Sequence, residues 1–174
     1  MNKIFFILLA ITMTVSGCIN INVPKDESRT NNPLDISPTP KDIITCGPFG
    51  GGGGDSFRES FETPPIGLNI RAGTYVDSIQ MVYNTGPGNR WGGGGGGAYP
   101  INLNPGEYVQ GISIWSGLYV DSITIFTNSR VFGPYGGGGG KQQPMCGGPG
   151  WQVIGIYGQS GLYVDSLGVT LQRR

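Results

Sequence analysis

The chain has 174 residues with eleven Lys and Arg against eleven Asp and Glu, and it contains no histidine. Balanced charge on only 13% of residues argues against a polyanion such as nucleic acid as partner, and the lack of histidine removes the commonest general base and the usual catalytic zinc ligand. Glycine is the outlier at 33 residues; it comes in blocks rather than at every third position, which excludes collagen, and enough aromatic and β-branched residues remain for a packed β core.

The first 18 residues, MNKIFFILLAITMTVSGC, place Lys3 ahead of an apolar run from Ile4 to about Val15. That run is short for a membrane span and suited to a signal peptide. Val15, Ser16, Gly17 and Cys18 resemble a bacterial lipobox, which makes Cys18 the expected lipidation site and new N-terminus. Several acyl chains at about 0.8 kcal/mol per buried CH₂ anchor stably, so the chain is expected to be exported and held at the cell surface or bacterial outer membrane. An ordinary cleavage site, giving a secreted protein, is the alternative. Residues 19–44 are rich in Pro, Asn, Ser and charge without period 2 or 3.6, and read as a flexible tether. Residues 45–174 form the predicted domain. Cys46 and Cys146 are an even pair in an oxidising compartment and are expected to form a disulfide.

The domain is built from an internal repeat. RAGTYVDSIQMVYN, WSGLYVDSITIFTN and QSGLYVDSLGVTLQ share a Gly-x-Tyr-Val-Asp-Ser core, whose aspartates, Asp77, Asp121 and Asp165, stand at a constant interval of 44 residues. An aromatic residue followed by a glycine block lies upstream of each: Phe49 before Gly50, Trp91 before Gly92 and Tyr135 before Gly136. After each aspartate apolar residues alternate (Ile79, Met81, Tyr83; Ile123, Ile125; Leu167, Val169, Leu171), and the segments before the turns alternate too (Ile66, Leu68, Ile70; Ile112, Ile114). That is the period of half-buried strands. Each Gly-x-Tyr-Val-Asp segment therefore joins an antiparallel hairpin, with glycine expected to supply a backbone conformation that other residues avoid. Three such sheets can close a core about a pseudo-threefold axis.

With three glycine blocks alternating with three Gly-x-Tyr-Val-Asp turns, residues 45 to 174 resemble the mannose-binding jacalin-related lectins, and most closely those members that keep all three repeat sites. The resemblance implies an all-β fold, a β-prism I of three four-stranded antiparallel sheets. It also implies no metal, cofactor or catalysis, and three equivalent sugar sites at one end. By position it implies Asp77 with the Tyr75 and Val76 amides and Gly54, Asp121 with Tyr119, Val120 and Gly96, and Asp165 with Tyr163, Val164 and Gly140, the tyrosine rings flanking the sugar. The family's blocks usually carry a central serine where these are pure glycine, and a sixth glycine in the middle block leaves Gly96 and Gly97 both open. Thr74, Leu118 and Leu162 stand at the variable turn position. Galactose-binding relatives use an α-amino group beside the site; here the new terminus is far away, so mannose or glucose is favoured. Partners are then mannose-type glycans, with multivalent capture of branched, high-mannose-like chains, and the membrane through Cys18. Monomer and strand-swapped homodimer stay open.

The chemistry suits a neutral ring of hydroxyls, because a carboxylate is a strong acceptor and bare glycine amides are rigid donors. Trp91, Trp115 and Trp151 read as packing residues, with Trp115 near enough to the second turn to touch a glycan. An adhesion module without sugar binding is the alternative function. A glycosidase ranks last, because it needs two carboxylates in unlike environments.

Overall fold

The computed structural model describes residues 42–174; the leader, Cys18 and most of the tether lie outside the described residues. Thirteen strands follow one another: β1 (Ile43–Gly50), β2 (Asp55–Ser60), β3 (Gly67–Ala72), β4 (Val76–Tyr83), β5 (Gly86–Gly92), β6 (Gly97–Asn102), β7 (Val109–Ser116), β8 (Val120–Thr127), β9 (Val131–Gly136), β10 (Lys141–Gln142), β11 (Cys146–Gly147), β12 (Trp151–Ser160) and β13 (Val164–Arg173). They form three antiparallel sheets: β1-β13-β12-β2, β5-β4-β3-β6, and β10-β7-β8-β9 with β11 also on β7. The count of five in the last is one edge strand cut in two. Pro144 has no N–H to donate and lies between β10 and β11, both of which pair with β7.

In each sheet the repeat's own hairpin supplies the two central strands, and their alternation decides what is buried. Leu68 pairs with Met81 and Ile70 with Ile79; Ile112 pairs with Ile125 and Ile114 with Ile123; Ile156 pairs with Val169 and Val153 with Leu171. All of these side chains lie in one hydrophobic core, so the three inner faces bury one another as cross-strand apolar pairs. Two expected members differ. Ile66 precedes β3 and is 43% exposed, although its amide still donates to the Val82 carbonyl. Tyr83 is only partly buried, its hydroxyl donating to Glu59 Oε1 at 2.6 Å.

Each seam between sheets has its own fastener. Where β2 meets β5, Phe57 stacks on Trp91 with centroids 5.0 Å apart, and Trp91 Nε1 donates to Glu59 Oε2 at 2.6 Å. Tyr99 of β6 packs on Tyr135 of β9 with centroids 4.8 Å apart. The third seam is covalent: Cys46 of β1 and Cys146 of β11 form the expected disulfide, with Cα atoms 5.6 Å apart. The first strand closes onto the last strand of its own chain, Ile44 opposite Leu171 and Gly50 opposite Ser166.

The disulfide spans a sequence separation of 100 residues, so it restricts the unfolded chain strongly. Replacing both cysteines by alanine is expected to lower the unfolding free energy by about 2–5 kcal/mol, measured by urea denaturation; an unchanged midpoint would show that the β1–β13 ladder alone holds the first strand.

Candidate functional site

The three turns are alike in detail. Gly73 N donates to the Tyr75 carbonyl at 2.9 Å, Gly117 N to Tyr119 at 3.0 Å and Gly161 N to Tyr163 at 2.9 Å. Each closes a tight bend, after which a buried valine (Val76, Val120, Val164) starts the outgoing strand and the aspartate follows. These turn glycines do not take the left-handed conformation expected of them, since none is among the residues with positive φ. Their bareness serves the space in front instead. A Cβ on Gly73 would lie 3.6 Å from Gly96 Cα and 3.8 Å from Asp77 Oδ2, with near-identical neighbours at Gly117 and Gly161.

The glycine blocks face the aspartates in a different order from the one implied by the resemblance. Gly92 of β5 sits opposite Ser78 of β4, Gly136 of β9 opposite Ser122 of β8, and Gly50 of β1 opposite Ser166 of β13. Asp77 therefore belongs with Gly92–Gly96, Asp121 with Gly136–Gly140, and Asp165 with Gly50–Gly54. The expected groupings of Asp77 with Gly54, Asp121 with Gly96 and Asp165 with Gly140 are corrected accordingly. The reason is topological: the strand after each aspartate turns back and delivers the next block to that aspartate, and the first block is left for the last aspartate, which it reaches because β1 pairs with β13.

The approach is close enough to require glycine. Gly93, Gly137 and Gly51 donate their N–H to the Asp77, Asp121 and Asp165 carbonyls at 2.9, 3.0 and 2.9 Å. The glycine before each has φ of +108, +118 and +133°, and a Cβ there would fall 2.1 Å from the same carbonyl oxygen. At the other end of the block, Cβ atoms on Gly95 and Gly96 would lie 2.3 and 2.4 Å from Asp77 Oδ1 and Oδ2. Gly139 and Gly140 repeat this around Asp121, and Gly53 and Gly54 around Asp165. Gly96, at φ +59°, matches Gly54 and Gly140, both at +68°, which resolves the choice in the six-residue block. Gly97 opens β6 as Asp55 opens β2 and Lys141 opens β10.

The aspartates are buried, at 5, 5 and 6% exposure. Asp165 Oδ2 has no hydrogen-bond partner and is sealed from solvent. All three lie at one end of the fold, because the turn tyrosines meet there: Tyr75, Tyr119 and Tyr163 have ring centroids 5.0 to 5.2 Å apart pairwise. The rings pack on one another where the three turns converge, and each stays half-buried. The valine side chains are core, which leaves only their main chain for any ligand.

The cradles differ at their rims. Arg71 Nε and Nη2 donate to the Gly95 and Gly96 carbonyls at 2.7 and 2.9 Å. With its amide nitrogen turned inward, Gln159 donates to Gly52 and Gly53 at 3.0 and 3.1 Å. Trp115 takes the equivalent place beside the Asp121 cradle and is 40% exposed. Each block also abuts a neighbour's turn: Gly51 lies against Leu118, Gly93 against Leu162 and Gly137 against Thr74. Leu118 and Leu162 are 80 and 81% exposed, so each rims the adjoining cradle. The sequence signal for Arg71, Trp115 and Gln159 was their shared place six residues before each aspartate, a position whose outward side its strand parity defines. Among the described residues no group of three or more Cys, Asp or Glu could hold a metal ion.

The chain matches the family model of the jacalin-like lectin domain over residues 46–170. A search of curated proteins returns no match. Among solved structures it is similar to wild-type Malaysian banana lectin, at 26% identity and TM-score 0.70 over 76% of this chain and all 100% of that one. A mannose-binding jacalin-related lectin from Ananas comosus aligns at 27% identity and TM-score 0.68 over 76% of this chain and 99% of its own. A mannose-specific jacalin-related lectin from Morus nigra, solved with mannose, aligns at 25% and 0.66 over 75% and 94%.

The middle of a block is open, with nothing within 4 Å of a Cβ on Gly138. Gly138→Ala should leave stability within about 0.5 kcal/mol, whereas Gly136→Ala, strained at φ +118° against the Asp121 carbonyl, should cost about 1–3 kcal/mol or more. Equal unfolding midpoints for the two variants would contradict the close approach.

Proposed function

Because the chain belongs to the jacalin-like lectin domain family, and is a carbohydrate-binding protein rather than an enzyme, we propose that its three aspartate–glycine cradles are sites for mannose- or glucose-type sugars. In this reading each carboxylate accepts from sugar hydroxyls. The final glycine of its block (Gly96 for Asp77, Gly140 for Asp121, Gly54 for Asp165) donates its amide, with the main chain of the Tyr-Val pairs Tyr75–Val76, Tyr119–Val120 and Tyr163–Val164 alongside. Bare glycine lets a pyranose reach amides that need no rotamer ordering. Hydrogen bonds to a charged acceptor contribute about 1.5–3 kcal/mol each.

The observation that carries this reading is the triple recurrence of a buried carboxylate wrapped by main chain, one of whose oxygens, Asp165 Oδ2, has no partner within the protein. An aspartate serving only to cap its own turn would spend its oxygens on local amides. The adhesion-only alternative gains no support from that oxygen, and the three acids sit in like surroundings, unlike a glycosidase pair. Three cradles at one end suit a branched, high-mannose-like glycan, and simultaneous engagement can raise avidity about 10²-fold or more over one site. Lipidation at Cys18 is part of the same proposal: it would display these cradles from a membrane, in an exported setting that suits the disulfide.

Isothermal titration with methyl α-mannoside should give three sites per chain, falling by one for each of Asp77→Asn, Asp121→Asn and Asp165→Asn. The triple variant should keep its circular dichroism spectrum and lose mannoside and glycan-array binding; undiminished binding by that variant would refute the assignment.

A further inference from the structure

The three sheets share a repeat but not an outer face. On the outside of the β5-β4-β3-β6 sheet is a cavity of about 230 Å³ whose lining includes Arg71, Arg90, Ser78, Asn69, Gln80 and Tyr99. That is below the roughly 300–1,000 Å³ of pockets for drug-sized ligands, and suits a single small ring. Ser78 alternates with core-facing Ile79, so its side chain belongs to the outer face; it is only 1% exposed, and its Oγ is buried with no hydrogen-bond partner. No acidic side chain lines the cavity. Among the described residues the one salt bridge joins Arg130 to Glu107, so Arg90 has no carboxylate at ion-pair distance. Arg71 spends Nε and Nη2 on the Gly95 and Gly96 carbonyls and keeps Nη1. Asn69 donates to Gln80 Oε1 at 3.1 Å, and Gln80 Nε2 to the Gly88 carbonyl at 2.9 Å, which fixes this polar wall.

The other two sheets provide internal controls. Six residues before the aspartate, Arg71 is replaced by Trp115 and Gln159, and two residues before the block, Arg90 is replaced by Pro134 and Pro48. A doubly basic face with a sealed hydroxyl between its arginines therefore occurs once, behind the Asp77 cradle, to which Arg71 binds it directly. We propose that this cavity is a subsite for an acidic sugar, taking a carboxylate or sulfate oxyanion on Arg90, Arg71 and the Ser78 hydroxyl, with Tyr99 against the ring. Two guanidinium groups and a hydroxyl supply convergent donors to such a group, in a place with no competing negative charge. The proposal deepens the carbohydrate reading and rests on it for the class of ligand. It makes the protein selective for glycans that carry acidic as well as neutral residues.

The test is titration of the full chain with methyl β-D-glucuronide, glucose 6-sulfate and methyl α-mannoside. Binding of either acidic sugar is expected, weakening with added salt and falling about tenfold in Arg90→Gln, with a similar loss in Ser78→Ala and no change in mannoside affinity. The better acidic ligand identifies carboxylate or sulfate as the natural group. Asp77→Asn should lose one mannoside site and keep the acidic sugar; persistence of acidic-sugar binding in a chain that binds no mannoside would also support the subsite while refuting the cradles. The proposal is overturned if the wild type binds neither acidic sugar, if Arg90→Gln binds them equally well, or if inorganic sulfate binds as tightly as the sugars.

Discussion

A glycine main chain pressed against the peptide carbonyl of an aspartate is the contact on which the rest of this domain depends. It occurs three times, with N–H to O distances of 2.9 to 3.0 Å, and in each case a Cβ on the preceding glycine would meet the same oxygen at 2.1 Å. No other residue type permits that approach at positive φ. Once the block is seated there, its last two glycines close around the carboxylate, and a loop becomes one wall of a cradle whose other wall is the hairpin turn. Glycine at both ends of each block is therefore a geometric requirement of the cradles, while the core beneath is largely aliphatic packing.

This contact also explains the closure of the fold. Two cradles are assembled from consecutive strands, β4 with β5 and β8 with β9. The third needs both ends of the domain, because its block arrives on β1 and its aspartate on β13. The disulfide ties β1 to the neighbouring sheet through β11, four positions before the block begins. Stability and site assembly are thus coupled most tightly at Asp165, whereas the Asp77 and Asp121 cradles are held by local hairpins and by the aromatic seams. The tyrosine trio then brings all three turns together on one end.

Much of this was legible in the sequence. Period-2 alternation through Ile79, Met81, Ile123, Ile125, Leu167 and Val169 located the inner strands, because strand parity and burial follow from residue order alone. The repeated aspartates and glycine blocks marked the cradles for the same reason. The pairing of block with aspartate was not legible, since it depends on which sheet the first strand joins, a long-range closure that local pattern does not encode. That the three tyrosines meet was not legible either, because a single repeat cannot reveal that three copies converge on an axis. Ile66 followed the alternation but stands one residue outside β3, where the chain still hydrogen-bonds but no longer faces the core. The split of one edge strand at Pro144 follows from a visible proline; the doubly basic outer face of one sheet required knowing which way Arg71 and Arg90 point.

In the proposed function a carboxylate and main-chain amides held together would accept from and donate to sugar hydroxyls, chemistry that needs no histidine, which the chain lacks. The rims differ around a common cradle, with Arg71, Trp115 and Gln159 at equivalent positions and Leu118 and Leu162 exposed. The most direct test of the central claim is an amide ¹H–¹⁵N titration with methyl α-mannoside. The account predicts that the Gly54, Gly96 and Gly140 amides shift together with those of the turns; shifts elsewhere, with those three glycines unmoved, would contradict it.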